Sequence, residues 1–66
     1  MIYVITYAMM ESGKKISCLF HNAFLDRQKC QKEFDQFPLS EQFPRKSIWA
    51  INSDGRRSLI TEENYV

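Results

Sequence analysis

The first ten residues carry no charge and alternate β-branched, aromatic and small apolar side chains, the composition of a strand. Strand geometry places Ile2, Val4, Thr6 and Ala8 on one side and Tyr3, Ile5, Tyr7 and Met9 on the other. Both sides are largely apolar, which predicts a central strand rather than an edge. That expectation governs the whole chain, because a central strand needs a neighbour on each side and a cover on at least one face. Only 66 residues are present to supply them. The Tyr3/Tyr7 face is read in two ways. Either one side of the strand meets a helix and the other is partly covered by neighbours, or the Tyr3/Tyr7 face stays open and its aromatics form a binding surface.

The remaining segments fall into place around this strand. Glu11-Ser12-Gly13-Lys14 reads as a turn in which Gly13 supplies positive φ. Lys15–His21 follows as a second strand, with Ile16, Cys18 and Phe20 on one face and Ser17, Leu19 and His21 on the other. Asp26 suits an N-cap, and Leu25 before it is placed to staple onto Cys30. From Arg27 to Gln36 the apolar positions are Cys30 and Phe34, continued by Phe37, so the expected helix packs on one side only. Pro38 ends it. Ser47–Asn52 and Arg57–Thr61 read as two further strands, and Glu62–Val66 as a polar tail. Between those strands, Asn52-Ser53-Asp54-Gly55 suits a type I turn with a glycine bulge, and a two-residue Asp-Gly turn is the alternative. The choice decides whether Trp49 faces Leu59 or Ile60. The expected architecture is α+β: one small β-β-α-β-β domain over residues 1–66, a mainly antiparallel four-stranded sheet with one helix on one face.

The chemical inventory is sparse. Two cysteines and one histidine exclude a disulfide-dense scaffold and a four-ligand Cys/His zinc site. Cys18, His21 and Cys30, completed by Asp26, form the one metal-like set, but strand alternation points Cys18 and His21 apart, and Cys30 lies on the apolar helix stripe. Both cysteines are therefore expected in the core, reduced, with no metal and no cofactor. His21 is the one side chain of a type that titrates near neutrality. A toxin-type ribonuclease could use it as a general base with Arg27 or Arg45 on phosphate charge, although no second acid or base is visibly paired with it. Serine-histidine-aspartate, phosphate-loop and dinucleotide signatures are absent from the sequence. The apolar N-terminus lacks a basic flank and is half the roughly 20 residues needed to cross a bilayer. The chain is accordingly expected to be complete, soluble and cytoplasmic, with no membrane partner.

Charge is nearly balanced, with nine Lys and Arg against eight Asp and Glu. A net charge of +1 argues against strong sequence-independent nucleic-acid binding. Within that balance sit three cation pairs, Lys14/Lys15, Arg45/Lys46 and Arg56/Arg57, at expected loops or strand starts near Phe43 and Trp49. They are solvated turn residues and edge protection on one reading, and contacts to a protein, a nucleoprotein or single-stranded nucleic acid on the other.

The stretch Trp49 to Arg57, with Asp54-Gly55-Arg56-Arg57 at its centre, resembles the terminal hairpin of some anti-CRISPR proteins, small inhibitors encoded by phages and mobile elements. The resemblance implies a non-enzymatic inhibitor in which Arg56 and Arg57 occupy a path meant for nucleic-acid phosphates. Lys14 and Lys15 join them on the charge argument alone. The expected function is a binding protein that blocks a host protein or nucleoprotein complex. Trp49 or Tyr7 would be its aromatic anchor and Lys14, Lys15, Arg56 and Arg57 its cationic rim. A small nucleic-acid-binding module contacting phosphates through the basic loop tips is the alternative. A homodimer through the sheet edges or the Tyr3/Tyr7 face is a further expectation.

Overall fold

A computed structural model describes residues 1–66. Five elements follow one another: β1 (Ile2–Glu11), β2 (Lys14–Phe24), α1 (Arg27–Gln36), β3 (Arg45–Ile51) and β4 (Arg57–Asn64). The strands form one antiparallel sheet in the order β2-β1-β3-β4, so the chain has the expected β-β-α-β-β architecture and β1 is indeed central.

The pairing of β1 with β3 runs without interruption from Ile2 opposite Ile51 to Ala8 opposite Arg45. Alternation along β1 is therefore clean. Ile5 points to the helix and is fully buried with Ile48, Cys30 and Phe34, while Tyr3, Phe24 and Ile60 pack around them. The helix forms where its sequence asks it to. The Asp26 carboxylate accepts the Gln28 N–H at 2.8 Å, the N-cap geometry that satisfies an otherwise orphaned donor. Phe37, before Pro38, is already extended, as steric conflict with a following proline requires.

Tyr3 and Tyr7 share the helix face with Ile5, which overturns their reading as an open aromatic surface. Tyr7 is half-buried in a cluster with Phe37, Phe43 and His21, at ring separations of 5.4, 5.8 and 6.3 Å. The helix is too narrow to cover this end of the sheet alone. The connector between α1 and β3 completes the cover by folding Phe43 back, with Met10 N–H donating to the Gln42 carbonyl.

Two turns close the hairpins. Ser12 and Gly13 both take positive φ, 52° and 78°, between the paired Glu11 and Lys14, the two-residue turn whose twist matches the strands. At the other hairpin Gly55 N–H donates to the Asn52 carbonyl at 2.9 Å and Gly55 has φ 86°. This is the type I turn with a glycine bulge, and it sets Trp49 opposite Leu59.

Several expectations are corrected. Strand β2 extends to Phe24 rather than stopping at His21, and two register shifts interrupt it, with Cys18 at φ 61°. An inserted residue changes the side to which later residues point, so Ile16 opposes Met9 on the helix face while Phe20 opposes Thr6 on the other. Cys18 is exposed rather than in the core. Leu25 is 82% exposed and cannot staple onto Cys30, because Phe24 takes the place against the core. Strand β3 begins at Arg45, and β4 continues through Glu62 and Glu63 to Asn64, replacing much of the expected tail. The cause is cross-strand charge: Ser47, Lys46 and Arg45 oppose Glu62, Glu63 and Asn64, with Arg45 Nε 3.5 Å from Glu62 and Lys46 Nζ 3.3 Å from Glu63.

The two thiols should behave differently. Burial, reinforced by the Glu33 carboxylate, pushes the Cys30 thiol above its ordinary value of 9.0. A neutral form favoured by folding contributes stability that is fully present below that value and is lost as pH rises through the higher folded one. Stability should therefore fall on the alkaline side above about pH 9 and recover in Cys30→Ala relative to its own neutral-pH stability. With a thiol-reactive dye at neutral pH, Cys18 should label in the folded protein and Cys30 only after denaturant is added. Equal labelling rates would contradict the buried placement.

Candidate interaction surface

A sheet carrying one helix exposes its second face, and in most antiparallel sheets that face is polar. Here it is not. The pairings place Ile2, Ile51 and Arg57 in one row across the strands, Ala23, Val4, Trp49 and Leu59 in the next, and Phe20, Thr6, Ser47 and Glu62 in a third. Ile2, Leu59 and Phe20 are 43%, 48% and 64% exposed, and Val4, Trp49 and Ile51 are half-buried. These six apolar side chains form the main uncovered apolar surface of the sheet.

Trp49 is the largest of them and is held in place twice. Its Nε1–H donates to Thr6 Oγ1 at 3.0 Å across the β1–β3 pair. The Arg57 guanidinium carbon lies 5.2 Å from the indole centroid, a cation–π contact. The ring is thereby fixed in orientation, as an interface anchor requires. Arg57 makes no ion pair, whereas Arg45 lies beside Glu62 and Arg56 lies 3.7 Å from Asp54. The turn before Arg57 is itself braced, with Asp54 accepting the Arg56 N–H at 3.0 Å.

The sheet order separates residues that the sequence suggested together. Because β3 runs opposite to β1, the Arg56/Arg57 turn lies at the Ile2 end of β1, while Lys14 and Lys15 lie beyond the Ala8 end. At about 3.4 Å per residue the two cation pairs stand roughly 30 Å apart, within a molecule 37 Å long. They form two poles and not one rim. Tyr7 and Trp49 likewise occupy opposite faces, so only Trp49 belongs to the uncovered surface. The four cations are all exposed.

The third pair splits completely. Lys46 is buried on the helix face, where Nζ donates to the Phe34 and Phe37 carbonyls at 2.6 and 3.0 Å and lies 4.4 Å from the Phe34 ring centroid. It closes the helix C-terminus. Arg45, its neighbour, points to the opposite face with Glu62.

His21 acquires a carboxylate that its sequence neighbourhood does not reveal. Its Nε2 lies 3.6 Å from Glu33 Oε2, which also accepts the Asn22 side-chain N–H at 3.1 Å. The imidazole packs edge-on against Phe37, with centroids 5.1 Å apart. This arrangement ties the bulged strand β2 to α1. The surface carries no pocket, no three His, Cys, Asp or Glu side chains are grouped to hold a metal ion, and no helix is long and apolar enough to cross a membrane. Comparison with protein-family models, curated proteins and solved structures finds no match.

Proposed function

We propose that the protein is a non-enzymatic binding protein that blocks a host protein or nucleoprotein complex in the cytoplasm, with the uncovered sheet face as its contact surface. The observation that carries this reading is Trp49, held by Thr6 and capped by the unpaired Arg57 at the centre of an apolar face. An aromatic anchor beside an exposed cation is the division of labour usual in interfaces. The resemblance of the Trp49–Arg57 hairpin to anti-CRISPR proteins supports the inhibitor class. Within that class Arg56 and Arg57 would stand where phosphates otherwise bind.

A tagged chain should retain its partner from extracts of the native host, and Arg56→Glu/Arg57→Glu should abolish retention while the thermal midpoint stays nearly unchanged. Both side chains are exposed and remote from the core, so their replacement leaves folding intact. Retention by the double variant at the wild-type level would overturn the assignment.

A second reading, a small nucleic-acid-binding module, rests on Phe20 and Trp49 sharing the open face, since bases stack on aromatic platforms. Salt separates the two. Phosphate contacts lose affinity steeply between low and moderate ionic strength, and an apolar protein contact does not.

A further inference from the structure

The open face is self-complementary, and we infer that, in the absence of a partner, a second copy of this chain covers it in a two-fold face-to-face dimer. The inference rests on the same face as the proposed function but on a separate property of it, the order of its rows.

Consider a two-fold axis lying across the strands over the row of Val4, Trp49 and Leu59. The rows on either side exchange places between copies. Ile2, Ile51 and Arg57 of one copy then face Thr6, Ser47 and Glu62 of the other. Arg57, which has no ion-pair partner within its own chain, is brought over Glu62 of the second copy, whose carboxylate also lies beside Arg45 of its own chain, and the same contact repeats at the symmetry-related position. The bulky residue Ile2 meets the smaller Thr6, and Ile51 comes over Ser47, which at 5% exposure is already covered within its own chain. On the axis, Trp49, Leu59 and Val4 meet their own counterparts. An interface in which one patch serves both subunits is the isologous contact that two-fold symmetry demands.

The size is adequate. Three rows about 6.8 Å apart on four strands about 4.8 Å apart give roughly 400 Å² in plane. With the relief of the side chains, two copies together bury on the order of 1,000 Å², the lower limit for a specific interface. Sheets stacked in this way pack about 10 Å apart and about 30° out of alignment. The edges are less suited to self-association. The β1–β2 pairing is shifted twice and the β3–β4 pairing once, and irregular edges resist strand addition.

Sedimentation of the purified chain from about 10 μM to 1 mM tests this, a range suited to a contact of this area. The weight-average mass should rise from 7.9 kDa toward twice that value. Leu59→Glu, on the axis, should remain at the monomer mass throughout while its circular dichroism stays unchanged. Arg57→Glu and Glu62→Arg should each weaken association about tenfold or more, and an equimolar mixture of the two should recover part of it through the restored opposite charges. A wild-type chain that stays monomeric at the highest concentration, or a Leu59→Glu variant that associates as the wild type does, would overturn the dimer. So would a mixture no better than either variant alone. The measurement needs no partner, so a monomeric result leaves the partner-binding reading standing. Loss of partner capture by the Arg56/Arg57 variant leaves the dimer standing.

Discussion

Phe34→Ala should destabilise the chain by about 3–5 kcal/mol, roughly a third or more of its total stability. Phe34 is the largest side chain in the core, 1% exposed, and packs against Ile5, Cys30 and Ile48. Truncating a buried phenylalanine costs about 3–5 kcal/mol, transfer free energy plus the cavity left behind. A chain of this length has a total stability of roughly 3–10 kcal/mol at the usual value per residue. The fully buried side chains here are few, so no second layer of core can close the gap. The same ring lies 4.4 Å from the Lys46 ammonium, so the truncation also strips that buried cation of its aromatic partner. Urea unfolding followed by Trp49 fluorescence measures the outcome. A midpoint shifted by less than the equivalent of about 1.5 kcal/mol would mean that the cavity collapses and that the core is less confined than its burial implies.

The elements that could be read from the chain are those whose signals are local. The Asp26 cap, the Cys30–Phe34 spacing and Pro38 delimit α1 at Arg27–Gln36 because capping and periodicity act within one or two turns of chain. The Asn52–Gly55 turn was legible for the same reason. Alternation failed in β2. The register shifts there show in pairing geometry and leave no mark in composition, and Cys18 accordingly lies on the surface instead of in the core. The Glu62–Glu63 segment looked like a solvated tail because its partners, Arg45 and Lys46, lie 17 residues earlier in each case and are recognisable only once the hairpin register is known. The strand order was the largest gap. Hairpin signals join β1 to β2 and β3 to β4, but nothing local specifies that β1 and β3 meet. That one pairing sends the cation pairs to opposite poles, and it assembles the open face from four strands. It also separates Tyr7 from Trp49. A binding surface made by strand order has no contiguous motif.

Lys46→Met should destabilise the protein by about 2–4 kcal/mol, the cost of leaving buried polar partners without their charge-assisted donor, although methionine nearly matches lysine in length and suits a buried site. The usual argument runs the other way, since replacing buried charges by apolar groups of similar volume is often neutral. It does not hold here because the partners of Lys46 remain behind. Nζ donates to the Phe34 and Phe37 carbonyls at 2.6 and 3.0 Å and lies 3.3 Å from the Glu63 carboxylate as an ion pair. Helix carbonyls at a C-terminus lack intrahelical partners and carry the negative end of the dipole, so a cation there is favoured twice. No other basic residue occupies the last turn of α1. The Phe34 carbonyl keeps the Phe37 N–H at 3.1 Å, so the heavier loss falls on Phe37, where chain direction turns toward Phe43 and the Tyr7 cluster. Glu63 is half-exposed and hydrated, and Glu63→Gln should cost no more than about 1 kcal/mol. The contrast between the two variants separates a helix closure from an ion pair. If Lys46→Met and Glu63→Gln lower the urea midpoint equally, the carbonyl contacts contribute nothing beyond the salt bridge. If Lys46→Met costs several times more, and hydrogen exchange at the Phe37 amide quickens with it, a lysine that resembles half of a surface cation pair is the bolt between helix and sheet.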